Sequence, residues 1–237
     1  MKISLIFAAI ACSAFSALPS PAQAKPKYGP EATVLARSHE YVAKNPAPDF
    51  WAMMPHYVAQ QTGSACSLAS VSMMIDAALE GAQVVLTSDD PQATQNNVLK
   101  KTNDEFWTKA MGDHGRGVTL DQLGPLAEKA LKAYGFKDAK AEIVHTEDAS
   151  PTTLEKLRKA LLENEKSTGD FILVNFNQAV YTGDAEAGHI APIGAYDAKT
   201  RKVLVMDPDR EWYQPYWVSD ETLLKGTSTM DKVSGKQ

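Results

Sequence analysis

Cys66, His189 and Asp207 are the residues whose types and surroundings point most directly to nucleophilic chemistry. The chain has two cysteines, Cys12 and Cys66. Cys12 lies in an apolar leader, so Cys66 is the one thiol expected after processing. An unpaired thiol in an oxidising compartment is worth treating as reactive. The alternative is a small buried apolar side chain, which cysteine often is. Leu68, Val71, Ile75, Ala78 and Leu79 recur at helical spacing, with Gly81 as a stop and Thr62, Gly63 and Ser64 as turn or cap residues before it. Cys66 is therefore predicted in the first turn of a helix. Unpaired amides and the positive end of the dipole favour a negative sulfur there, and the same amides suit an oxyanion formed on attack at a carbonyl.

Such a thiol needs a base. His39, His56, His114 and His145 stand in surface or pre-helix contexts, where a solvated role is the simpler expectation. His189 differs: it follows Gly188 and opens an apolar strand with Ile190, Ala191 and Ile193. A turn centred near Ala198 and Lys199 would place His189 opposite Asp207 or Pro208 in an antiparallel pair. Asp207 would share a face with Val203 and Val205, close enough for an imidazole–carboxylate hydrogen bond. Pro192 warns of a bulge that shifts this register by a residue. The carboxylate would hold the imidazole, and the imidazole would activate the thiol. The alternative is that Asp207, Pro208 and Asp209 simply form a turn after a strand. Gln60, six residues before Cys66, offers a side-chain amide as a second oxyanion donor, although Gln61 beside it shows how common polar loop residues are.

The elements that must position these groups are arranged with helices first and strands second. A polar, proline-containing stretch at 25–48 reads as an extended lead-in, with a short helix near 31–39. Residues 82–117 are polar, with turn signals at 89–91 and 112–117 and a short helix around 104–111. A helix begins after Thr119, where Gln122 completes a capping box. A strand is expected at 141–145. Another helix has Ser150 as its cap and Pro151 at its first position, presenting Leu154, Leu157, Leu161 and Leu162. Strands follow at 171–176, 189–196, 202–206 and 216–218. Helices segregated from an antiparallel sheet define an α+β fold class.

Residues 1–24 read as a cleaved export signal. Lys2 precedes an apolar stretch, and Ala22, Gln23 and Ala24 form a small-residue cleavage pattern. A membrane anchor or a lipoprotein at Cys12 are the weaker alternatives. The expected location is therefore periplasmic or secreted. The formal net charge of −5, more negative once Lys2 leaves, argues against nucleic acid or an anionic membrane as partner. No Cys/His cluster has the spacing of a zinc site, and no cofactor or bound metal is expected.

Three segments resemble the phytochelatin synthase family. They are FWAMMPHYVAQQTGSACSLASVSMMIDAAL at 50–79, GVTLDQLGPLAEKALKAYGF at 117–136 and GHIAPIGAYDAKTRKVLVMDPDREWYQPYWV at 188–218. The likeness covers roughly residues 49–232, and a catalytic domain is expected over 49–237. The resemblance implies a papain-like cysteine protease fold, with a helical lobe carrying the nucleophile helix and a C-terminal sheet lobe. It implies Cys66 as nucleophile, His189 as base, Asp207 as orienting acid and Gln60 in the oxyanion hole. Asn175 and Arg210 match positions near the substrate; Arg210 would bind a carboxylate or form a structural ion pair. The implied substrate and partner is glutathione, cleaved at its Cys–Gly bond through a γ-Glu-Cys thioester. Water would yield γ-glutamylcysteine, and a second glutathione a phytochelatin. Cd²⁺ or Zn²⁺ would enter, if at all, as a thiolate complex with substrate. No Cys-rich extension follows, so no dedicated metal-sensing domain is expected, and a homodimer is kept open. Ala65 and Ser67 around Cys66 depart from the family's usual aromatic residue and glycine, which bears on access of a second glutathione. A papain-like peptidase on other peptides and a non-catalytic periplasmic thiol- or metal-binding protein are the rival functions.

Overall fold

The structure, a computed structural model, describes residues 27–84, 87, 92–146, 148–184 and 186–229. The leader expected at 1–24 and the turn expected at 89–91 lie outside them. Among the described residues the fold is α+β, with a helical N-terminal part and a five-stranded antiparallel sheet.

The helical part is built on α3 (Cys66–Gly81), which is buried almost all round. α4 (Gln95–Thr102), α5 (Glu105–Ala110) and α6 (Leu120–Ala133) pack beside it. Trp107, Leu68, Val71, Ile75, Leu123 and Ala130 form their shared core. The Thr119–Gln122 capping box is present as predicted. The preceding helices, α1 (Glu40–Lys44) and α2 (Pro48–Met53), lie against the sheet.

The sheet runs in the order β1 (Thr33–Val34), β5 (Tyr216–Ser219), β4 (Lys202–Val205), β3 (Gly188–Asp197), β2 (Leu173–Asn177). One face packs Ala195, Leu204, Met206 and Trp217 against α1 and α2, and Ile190 against α3. The other packs Val203, Val205, Tyr216 and Val218 towards α7 (Pro151–Asn164), α8 (Gln178–Thr182) and α9 (Asp220–Thr227). With both faces covered, β3 is buried nearly throughout, which explains its run of apolar residues in place of strict alternation. The ladder of β3 with β4 shifts between Ile193 and Ala195. A side chain at Gly194 between them would come within 3.0 Å of Met206, so the bulge sits where the backbones approach most closely.

Three expectations change. The segment at 141–145 is not a strand: no strand lies beside it, the Ala141 amide is satisfied by the Glu128 carboxylate at 2.9 Å, and Val144 is exposed. Within 31–39 the chain forms β1 and a 3-10 turn, Leu35–Arg37, in place of a helix, because Thr33 and Val34 can pair with Trp217 and Tyr216 at an open sheet edge. In α7, Leu161 is buried but Leu162 faces solvent, since that helix packs through a single stripe.

Asp49, in the first turn of α2, is 3% exposed and neither carboxylate oxygen has a hydrogen-bond partner. Asn164, the nearby amide, donates instead to Asp170. Burial, reinforced by Asp170 and Glu165, pushes the Asp49 carboxyl up to about 8. The folded chain therefore keeps a proton that the unfolded chain releases near pH 4, and stability falls as pH rises from about 4 to about 8. Asp49→Asn should raise the melting temperature by about 5 °C above pH 8, with the gain vanishing towards pH 4. Thermal melts across that range check this; a constant or absent gain contradicts it.

Candidate active site

Cys66 is the first residue of α3, and the Ala65 N-cap supplies no side-chain hydrogen bond. The first-turn amides are thus not capped by a side chain of residue 65. The thiol is unpaired and 8% exposed. Ser70, one turn on, ties this helix to β3: its hydroxyl lies 2.8 Å from the Cys66 carbonyl and 3.2 Å from that of Ile190. The loop before the helix is anchored as well. Thr62 donates to the Met111 carbonyl at 2.7 Å and Ser64 to that of Gly112 at 3.0 Å.

His189 is the second residue of β3 and faces Phe176 across the β2 pair. The two rings meet edge to face at 5.5 Å, and Phe176 stacks on Tyr181 at 4.1 Å. This aromatic wall fixes the plane of the imidazole. Nε2 lies 2.7 Å from Asp207 Oδ1. The Cys66 sulfur is near enough to raise the imidazole's affinity for its proton, and with Nε2 committed to Asp207, Nδ1 is the nitrogen left to face it. Asp207 is 0% exposed. Its Oδ1 also accepts the Asp209 amide at 2.9 Å, and its Oδ2 accepts the Tyr216 hydroxyl at 3.0 Å.

The contact is not made by straight opposition. Pairing runs from Asp197↔Lys202 to Ile193↔Val205 through the bulge, and continuing it would set His189 against Asp209. Asp207 reaches the imidazole as a diagonal neighbour on the face of Val203 and Val205. The turn spans Ala198 to Arg201 and is centred a residue later than the sequence suggested, with Arg201 at φ 58°.

Burial acts most strongly on His189 and disfavours its charge. The Asp207 carboxylate and the Cys66 sulfur outweigh that effect and hold the imidazole well above its ordinary value. Burial likewise works against the Asp207 charge. His189, the Asp209 amide and Tyr216 reverse it, so the carboxyl stays below the usual carboxylate range. The pair is thus an imidazolium and a carboxylate around neutrality.

Gln60 is held from three sides. Its own amide donates to the Pro208 carbonyl at 2.8 Å. The buried Gln95 side chain accepts from the Gln61 amide at 3.1 Å and donates to the Ala59 carbonyl at 2.8 Å. Gln60 Oε1 is turned inward with no partner. Its Nε2 is not among the buried unpartnered atoms, and no hydrogen bond occupies it among the described residues. Tyr57 fastens the same segment, its hydroxyl donating to the Asp207 carbonyl. Gln95, Tyr57 and Tyr216 were not singled out in the sequence. Tyr216 becomes recognisable once β5 is placed beside β4, opposite Val205.

Arg210 is exposed, stacks on the Tyr57 ring at 4.5 Å and donates to the Tyr57 carbonyl at 3.0 Å. No described carboxylate forms an ion pair with it, so the structural-pair alternative has no acidic partner here. Asn175 is half-buried opposite Ile190, on the face turned to α3, and its side chain bonds to no described residue. The remaining histidines stand elsewhere: His56 pairs with Glu80 at 2.8 Å and His145 with Asp121 at 2.7 Å. Among the described residues no cluster of three or more His, Cys, Asp or Glu could hold a metal ion, and no helix is long and apolar enough to cross a membrane.

The chain is similar to the glutathione gamma-glutamylcysteinyltransferase 1 of Arabidopsis thaliana, 23% identical over 208 residues, 84% of this chain and 38% of that protein. It is 23% identical over 205 residues to a namesake from Lotus japonicus, covering 83% and 36%. A glutathione gamma-glutamylcysteinyltransferase of Schizosaccharomyces pombe is 27% identical over 128 residues, covering 51% and 26%. The matches thus span well under half the length of these relatives. The family model for phytochelatin synthase matches residues 31–237, most of the chain, and the chain belongs to the phytochelatin synthase family.

Proposed function

We propose that this protein cleaves the Cys–Gly bond of glutathione through a γ-Glu-Cys acyl-enzyme on Cys66, on a papain-like scaffold. The observation that carries the proposal is the buried His189–Asp207 pair, with Nε2 and Oδ1 2.7 Å apart and the Cys66 sulfur near enough to act on the imidazole. A thiol, a base oriented by a carboxylate and two oxyanion donors are what acyl transfer needs. The relatives' names supply the substrate class.

In this mechanism the proton shared between Cys66 and His189 rests on the imidazole at Nδ1, and the sulfur, as thiolate, attacks the carbonyl of the Cys–Gly bond. The negative oxygen is held by the Cys66 amide and Gln60 Nε2. The tetrahedral adduct collapses as the imidazolium gives its proton to the departing glycine amine. His189 then takes a proton from water, which attacks the thioester and releases γ-glutamylcysteine. The amine of a second glutathione in place of water gives a phytochelatin. Arg210 and Asn175 are proposed to contact substrate. Cd²⁺ or Zn²⁺ would arrive with the substrate as its thiolate complex. The leader at 1–24 supports export, with cleavage after Ala24 and a periplasmic or secreted site of action.

Incubation with glutathione followed by mass spectrometry should reveal a γ-Glu-Cys adduct on Cys66 and free glycine, and Cys66→Ala should abolish both. Longer thiol peptides would add transpeptidation; cleavage of unrelated peptides without glycine release from glutathione would favour a general peptidase. An intact, unlabelled Cys66 with no glycine released would sink the proposal.

The catalytic ion pair persists until His189 loses its proton, so activity is retained below the folded imidazole value and lost as pH rises through it. Because that value is raised, the alkaline limb of kcat/KM should lie above the ordinary histidine value of about 6.5. Asp207→Asn should move the limb down as the carboxylate charge disappears; an unmoved limb contradicts the assignment. Gln60→Ala should lower kcat on the order of 10²-fold with little change in KM, and a loss confined to KM would remove Gln60 from the oxyanion site.

A further inference from the structure

We propose that Tyr216 is a positioning residue for this chemistry: its hydroxyl fixes one oxygen of Asp207 so that the other is presented to His189. The inference rests on the thiol mechanism proposed for Cys66.

Asp207 has no access to water, so protein donors must satisfy both oxygens. Oδ1 receives His189 Nε2 and the Asp209 amide. Oδ2 receives the Tyr216 hydroxyl at 3.0 Å, its one partner among the described residues. Without that donor a buried charged oxygen is left bare. The carboxylate must then rotate to share the remaining donors or take up a proton. Rotation releases the imidazole from its orientation, and protonation removes the charge that stabilises the imidazolium.

Tyr216 is built to be a permanent donor. It is 0% exposed, so the hydroxyl cannot turn to solvent. Burial, with the charge of Asp207 behind it, keeps the phenol protonated far beyond its ordinary value. Its ring meets Tyr28 edge-on at 5.9 Å and Tyr213 at 6.2 Å. Tyr28 in turn accepts the Gln214 amide at 2.6 Å. The segment before β1 therefore backs the tyrosine that backs the aspartate.

Tyr216→Phe removes one oxygen and keeps the ring. Glycine release from glutathione should fall about tenfold in kcat with KM unchanged. The acid limb of kcat/KM should move to higher pH, because Asp207 then accepts a proton more readily. Tyr213→Phe is the control: it removes a hydroxyl from the same aromatic cluster, one bonded to Asp184 at 2.6 Å, and should leave the limb in place. If Tyr216→Phe melts lower but keeps the parent kcat and acid limb, or if both variants shift the limb equally, the hydroxyl is structural and the proposal is wrong. Cys66→Ala run alongside separates the two levels: glycine release that survives in it overturns the thiol mechanism, and the role of Tyr216 falls with it.

Discussion

A carboxylate sealed from water must have each oxygen answered by a donor, and Asp207 imposes that demand on the whole molecule. Its four neighbours come from different parts of the fold. His189 arrives on β3, Tyr216 on β5, the Asp209 amide from the loop after β4, and Tyr57 reaches its backbone carbonyl from the segment after α2. Removing one partner of a buried charge pair leaves the other uncompensated, at a cost of about 3–5 kcal/mol. The Asp207 side chain therefore ties β3, β5 and the loop after β4 to one arrangement, and its backbone carbonyl ties in the segment after α2. The same pairing keeps His189 charged in a place where burial alone would neutralise it.

The helix that begins at Cys66 also answers to this constraint. Ser70 pins α3 to β3 beside Ile190, the residue next to His189. The loop that carries Gln60 is stitched to Pro208, the residue next to Asp207. The Cys66 helix and the Gln60 loop are thus each joined to a backbone carbonyl next to the buried His189–Asp207 pair. That is how a site assembled from distant segments can hold sub-ångström relations.

The helix at Cys66 and its starting point were legible because apolar spacing and turn residues agree locally. The same is true of the caps at Thr119 and Ser150. The common face of Val203, Val205 and Asp207 followed from strand alternation alone. The register was harder. It depends on a four-residue turn and a bulge at Gly194, and the bulge answers to Met206, a contact across strands that local pattern does not encode. Gln95 was hidden for a similar reason. Its helix is short and polar, and its role lies in two backbone groups far off in sequence. The segment at 141–145 had the composition of a strand but no neighbour to pair with, and β1 had little strand signal but an open edge beside it. In each case tertiary context overrode propensity.

The sheet edge has a consequence for how the molecule is made. β1 lies near the start of the described chain and pairs with β5 near its end, Thr33 against Trp217. A ribosome would have to release the whole stretch from Thr33 to Trp217 before that edge could close. Until then the aromatic layer around Tyr28 and Tyr216 would have no second half, and Asp207 no sealed pocket. Contacts of such long sequence separation slow folding. A newly made chain would thus keep the surroundings of Asp207 open until β5 has emerged and met β1.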